Sequence, residues 1–157
     1  MAGKRHLPRI ILVVEDNRDD TDLLRVAAER VPEAVSFHIV RDGETALAYL
    51  KGDGQYADRH AHPFPDLVLL DVGLPGMSGF DVLTWIRQQP KFDRLKVFVW
   101  TDSGDPAVLE RALEAGANCF VPKSVAFVRG GLAGLVRDMS QPVSGSPELD
   151  KAKDRNS

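Results

Sequence analysis

Five short stretches of the chain are apolar with few or no interruptions: Ile10 to Val14, Phe37 to Val40, Leu67 to Leu70, Lys96 to Trp100 and Asn118 to Val121. Continuous apolarity, rather than an alternation of apolar and polar, is the pattern of a strand covered on both faces. Between them lie segments with helical spacing. After Asn17, a plausible N-cap, Asp20, Leu23, Leu24, Ala27, Ala28 and Val31 recur at that period until Pro32 stops the pattern. Asp19, Asp20 and Asp22 in its first turns suit the helix dipole. Arg41-Asp42-Gly43 turns into a helix carrying Ala46, Leu47, Tyr49 and Leu50. Ser78 opens a helix with Phe80, Leu83, Thr84 and Ile86 on its predicted buried face, ended by Pro90, and Trp85 lies on that face or at its edge. Asp105-Pro106 starts another, with Val108, Leu109, Ala112 and Leu113 inward and Gly116 near its end.

Strand and helix therefore alternate five times, which right-handed crossovers turn into a parallel sheet with helices on both faces. The expected fold class is α/β: a flavodoxin-like, doubly wound, five-stranded sheet of strand order 2-1-3-4-5. Two segments stand apart. Lys51 to Asp66, with Gly52, Gly54, Pro63 and Pro65, reads as an unusually long surface loop. A last helix over residues 126–139 contains Gly130, Gly131 and Gly134, each unfavourable in a helix interior. Residues 1–8 form an N-terminal extension, 9–140 the domain, and 141–157, rich in Pro, Ser, Gly and charge, a tail expected to be disordered.

Bulk properties narrow the function. A chain of 157 residues holds one domain with a real core. Its 20 Lys and Arg against 23 Asp and Glu give a net charge of −3, which offers no electrostatic footprint for nucleic acid. The N-terminal apolar run is too short for a signal peptide or a membrane span, so a soluble cytoplasmic protein is expected. The single cysteine, Cys119, fits a reducing compartment and is expected to be a buried, inert thiol. His60 and His62 have the spacing of a zinc-binding pair, but no Cys or third His is near in sequence, and a solvated loop is the better reading.

The chemistry collects at strand ends. Four of the five strands finish in polar groups: Glu15-Asp16, Asp71, Thr101 and Lys123. The order 2-1-3-4-5 sets the first and third strands side by side at the switch point, gathering Glu15, Asp16 and Asp71 into one acidic pocket with Thr101 and Lys123 at its rim. Packed carboxylates repel, and a hard, oxygen-seeking cation such as Mg²⁺ suits them. Asp71 would then be an oxygen nucleophile toward phosphorus, with Lys123 and the Thr101 hydroxyl stabilising phosphoryl oxygens. A single strand-end acid is an ordinary turn former. Five such residues ending four strands argue against coincidence.

With Val14-Glu15-Asp16, Leu70-Asp71, Leu74-Pro75, Gly79, Thr101, Phe120 and Lys123 in place, the chain resembles the receiver domain of bacterial two-component response regulators over roughly Arg9 to Met139. The resemblance implies that Asp71 is phosphorylated from a histidine kinase's phosphohistidine. It implies that Asp16 is a direct Mg²⁺ ligand, Glu15 one through water, and the Gly73 carbonyl a backbone ligand. It makes Lys123 the phosphoryl-pairing lysine. Thr101 and Phe120 become a switch pair that reshapes the surface of the fourth helix, fifth strand and last helix. No DNA-binding segment follows Met139, so a stand-alone receiver is expected, signalling by protein contact and not as an enzyme. The long loop and Lys123-Ser124, in place of Lys-Pro, are similar to regulators paired with phytochrome-type sensor kinases. A homodimer is left open.

Three features depart from the family pattern. Asp102 follows the switch threonine where a small residue is common, and a fourth carboxylate there is expected to slow phosphorylation or restrict its donors. Gly73 offers no side chain to exclude water, which predicts a short-lived acyl phosphate. Loss of the Lys-Pro bond removes an expected cis peptide and leaves the backbone at Lys123 open. The rival readings are a Mg²⁺-dependent phosphohydrolase with an Asp nucleophile and a receiver-like module that binds without taking phosphate. The first usually needs a second Asp where Gly73 stands, and Asp102 keeps the second alive. A flavin site is disfavoured, because Glu15-Asp16-Asn17 presents acids where a phosphate cradle needs backbone donors.

Overall fold

The computed structural model describes residues 9–32, 34–124, 131, 133 and 134. Five strands, β1 (Arg9–Val14), β2 (Val35–Val40), β3 (Leu67–Leu70), β4 (Lys96–Thr101) and β5 (Cys119–Pro122), form one sheet in the order β2-β1-β3-β4-β5. Every pairing is parallel. Four helices connect them: α1 (Arg18–Ala28), α2 (Gly43–Lys51), α3 (Gly79–Gln88) and α4 (Pro106–Glu114). The helix expected over 126–139 lies almost entirely outside the described residues, and the two end segments lie wholly outside them.

The apolar runs behave as doubly covered strands. Alternate residues point to opposite faces, and the core is split accordingly. Leu12, Val14, Val68, Leu70, Val97 and Val99 pack with the buried residues of α2, α3 and α4. Ile11, Val13, Leu67, Leu69, Phe98 and Trp100 pack on the other face with Leu24 of α1. Each fully buried side chain of this size contributes about 1.5–3 kcal/mol.

Local signals set the helix starts. Asn17 Oδ1 accepts from the Asp20 amide, Asp42 from Thr45, and Asp105 from Ala107. Ser78 and Asp81 form a reciprocal capping box at α3. Two face assignments and one helix boundary differ from expectation. Leu23 is 50 % exposed, because Leu24 alone takes the inward position at that turn of α1. In α3 Val82, not Thr84, is buried. α1 ends at Ala28, short of Pro32.

The loop between α2 and β3 is more ordered than its composition suggests. It holds a 3-10 turn at Gly54–Ala57. Arg59 donates to the carbonyls of Tyr49 (2.8 Å) and Leu50 (3.0 Å), capping the carboxyl end of α2. Tyr49 Oη donates to the Pro63 carbonyl (2.8 Å), and burial pushes its phenol up to about 12. The His62 ring packs edge-on against Tyr49 and Tyr56, while His60 is exposed. Cys119 is half-buried instead of buried.

Candidate functional site: an acidic pocket closed by a lysine

Register brings the strand-end acids together. Val14 and Leu70 are partners across β1 and β3, and the Asp71 amide donates to the Val14 carbonyl (3.1 Å). Glu15 and Asp71 therefore leave neighbouring strands at the same height. Glu15, Asp16 and Asp71 each offer a carboxylate oxygen within 4.8 Å of the others, the one such group among the described residues. Asp16 is exposed, whereas Glu15 is 0 % and Asp71 7 % exposed.

The turn after Asp71 is built for close approach. Gly76 adopts a positive φ of 71°, which Pro75-Gly76 provides. The Gly73 amide donates to Asp71 Oδ1 (2.9 Å), so Gly73 enters the site through its backbone N–H. A Cβ on Gly79 would collide with the Asp71 carbonyl oxygen and lie 2.6 Å from Val72 Cα. Only glycine lets α3 begin this close to the acid.

Lys123, 5 % exposed, reaches into the pocket from the end of β5. Its Nζ lies 3.1 Å from Asp71 Oδ2, 3.1 Å from Glu15 Oε2 and 2.7 Å from Asp20 Oδ2. The Trp100 ring centre is 4.9 Å from the same nitrogen. Burial opposes the charge on Lys123, but the hydrogen bond to Asp20 and the charges of Asp71 and Glu15 outweigh it and hold the ammonium above the ordinary lysine range. Burial, reinforced by the hydrogen bond and charge of Asp71, pushes Glu15 up to about 8. Burial also opposes ionisation of Asp71, yet Glu15, the Gly73 amide and Lys123 overcome it and keep its carboxyl below the usual range. The two carboxyls are thus driven in opposite directions, Glu15 upward and Asp71 downward.

Thr101 is buried at the end of β4, its hydroxyl oxygen accepting from the Ser103 amide (3.2 Å). Phe120 is half-buried and packs on the core face of α2, α3 and α4. By strand alternation Thr101 shares that face, while Trp100 and Val121 belong to the α1 face. Asp102 is exposed and outside both the acidic group and the ion pairs of Lys123. The fourth carboxylate at the pocket is Asp20, from α1. Sequence reasoning assigned Asp20 only to the helix dipole and Trp100 only to a strand. It also gave no role to Arg41, whose Nη1 donates to the Glu15 carbonyl (3.2 Å) and to the buried Thr21 hydroxyl (3.1 Å), fastening α1 to the end of β1.

The donor chemistry of Glu15, Asp16 and Asp71 suits a hard cation. Three carboxylates, all oxygen donors, converge at the rim of a buried pocket and fit a hard divalent cation. Ligation there requires the carboxylates deprotonated.

Comparison with known proteins agrees with this geometry. The response regulator receiver domain family matches residues 11–129. Response regulator Rcp1 of Synechocystis sp. is 34 % identical over 124 residues, covering 79 % of this chain and 82 % of Rcp1. The phosphorylated cyanobacterial phytochrome response regulator RcpA superposes with a TM-score of 0.72 at 31 % identity, over 82 % of this chain and 91 % of RcpA. The Mn²⁺-bound form of Rcp1 gives a TM-score of 0.68 at 31 % identity, over 84 % and 91 % of the two chains. The chain belongs to the response regulator receiver domain family, the receiver modules of two-component signalling.

Proposed function

We propose that Asp71 accepts a phosphoryl group from the phosphohistidine of a sensor histidine kinase, and that the modified domain signals by contact instead of by turnover. The observation that carries this reading is the ionised, buried Asp71 carboxylate with the Lys123 ammonium 3.1 Å away. In the transfer an Asp71 oxygen forms a bond to phosphorus. The phosphorus–nitrogen bond breaks, and its electron pair returns to the kinase imidazole. Lys123 pairs with a phosphoryl oxygen, and the Thr101 hydroxyl donates to another after leaving its own turn. Glu15, Asp16, Asp71 and the Gly73 carbonyl would hold Mg²⁺, which when bound neutralises phosphoryl charge.

Thr101 and Phe120 form the switch in this reading. They lie on one face of the sheet, so a hydroxyl drawn toward the phosphoryl group vacates space behind it for the ring. The surface that changes is that of α4 and β5. The kinase is of the phytochrome type, a reading supported by the likeness to Rcp1 and RcpA. A cytoplasmic location goes with it, and no helix among the described residues is long and apolar enough to cross a membrane.

The test is incubation of the full chain with Mg²⁺ and acetyl phosphate, followed by intact mass. One phosphoryl adduct per chain, absent in Asp71→Asn, is expected. Catalytic turnover without an adduct would favour a phosphohydrolase, and no reaction at all a binding module.

A further inference from the structure

We infer that Asp20 is the positioning residue for the Lys123 ammonium, holding it from α1 in the direction from which it meets a phosphoryl group on Asp71. The inference rests on the reading of Lys123 as the phosphoryl-pairing residue.

An ammonium has three hydrogens; here Nζ donates to Asp20 Oδ2 and Asp71 Oδ2, and Glu15 Oε2 faces it as an ion-pair partner. The Asp20 contact, 2.7 Å, is the shortest, against 3.1 Å each for Glu15 and Asp71. It differs from the other two in kind. Glu15 and Asp71 belong to the group of carboxylates that would hold a cation, and Asp71 is itself the group modified. Both partners change when the site is used. Asp20 lies outside that group, so its hold on Lys123 is the one that persists from the resting to the phosphorylated state.

Asp20 is also well fixed. It sits in the first turn of α1, where its amide donates to Asn17 Oδ1 (3.2 Å). That turn is tied down by Arg41 through Thr21 and the Glu15 carbonyl. Lysine, by contrast, carries its charge on a flexible four-carbon stem with no preferred fork geometry. The Trp100 ring, 4.9 Å from Nζ, lines one side of the ammonium, and Asp20 supplies the charged anchor. A lysine held this way gives up little further freedom when a phosphoryl group arrives.

The test compares single-turnover phosphorylation of the full chain by acetyl phosphate and Mg²⁺ in wild type, Asp20→Ala, Asp20→Asn, Lys123→Ala and the Asp20→Ala/Lys123→Ala double variant, read by intact mass. Loss of the anchor should slow Asp20→Ala about tenfold, the scale of a small misplacement of a catalytic group. Asp20→Asn, whose amide oxygen still accepts from the ammonium, should retain most of the rate. In the Lys123→Ala background Asp20→Ala should have no further effect. In a Trp85→Phe chain without metal, Asp20→Ala should shift the emission of Trp100, the remaining tryptophan, as the ammonium leaves its place. An Asp20→Ala rate equal to or above wild type would overturn the inference, as would additional slowing in the Lys123→Ala background. If Asp20→Ala does not fold, by circular dichroism, Asp20→Ser, whose hydroxyl is too short to reach the ammonium, carries the same comparison: unchanged rate and emission in both backgrounds, or slowing independent of Lys123, would overturn it. Loss of the adduct in Asp71→Asn tests the underlying reading separately, and a phosphorylation rate unaffected by Lys123→Ala would remove that reading before Asp20 is in question.

Discussion

The Lys123 ammonium lies 4.9 Å from the ring centre of Trp100, a side chain with no exposed surface. The charge that meets the phosphoacceptor is therefore in contact with an intrinsic fluorophore. In a Trp85→Phe chain, acetyl phosphate with Mg²⁺ should change the emission of Trp100, and Asp71→Asn should abolish the change. Trp100→Ala should lower stability by about 3–5 kcal/mol, as large aromatic deletions do, measured by urea denaturation.

Gly79 should not tolerate alanine. The added methyl would meet backbone atoms of Asp71 and Val72, which cannot swing away as a side chain can. Gly79→Ala should cost about 3 kcal/mol through overpacking, and because the displaced backbone carries the acid, phosphorylation should fall with it. Urea midpoints and intact mass of the same preparation check both.

Gly73 invites the opposite experiment. It is exposed, its φ is negative, and a Cβ there would meet Asp71 Oδ1 at an ordinary 3.6 Å. Gly73→Arg should fold normally and lengthen the lifetime of the acyl phosphate severalfold by covering it from water. Decay of the phosphorylated mass after removal of donor is the measurement.

Asp102 should matter little. Its carboxylate is exposed, where salt screens it beyond about 8–10 Å. Asp102→Ala should change the phosphorylation rate by less than about twofold at physiological salt, well below the effect at Asp20. A large acceleration would show that the exposed charge does repel the donor.

His38 supplies a pH dependence of stability. Burial first, then the charges of His62 in the long loop and Arg25 on α1, lower its pKa from 6.5, while Ser36 Oγ lies 3.3 Å from its Nε2. The unfolded chain therefore binds the proton more readily than the folded one. The stabilisation by neutral His38 is complete above 6.5 and is lost as pH falls through that value toward the lower folded pKa. Urea midpoints should drop between about pH 7.5 and about pH 5.5, and less so in His38→Gln.

Much of the site was readable because it depends on strand ends. Glu15, Asp71 and Lys123 each follow a doubly covered apolar run, and a parallel sheet gathers such ends on one side. Asp20 and Trp100 were not readable in this way. A first-turn Asp and a strand Trp look the same whether or not a lysine from β5 lies between them, and only packing of α1 on the sheet decides it. Leu23 misled for a related reason, since helical spacing marks a broad stripe while the shallow contact of α1 buries only its centre. The loop's hold on α2 through Arg59 was equally hidden, because polar composition does not show which carbonyls a guanidinium will cap.

The fit of α3 against the strand-end acid has a consequence for engineering. Asp71 and Gly79 are separated by seven intervening residues yet share one backbone junction, so they are a single heritable part. A graft of this phosphoacceptor turn onto another βα scaffold would have to carry the whole segment from acid to glycine, and a library that randomises position 79 would return almost nothing but the parent.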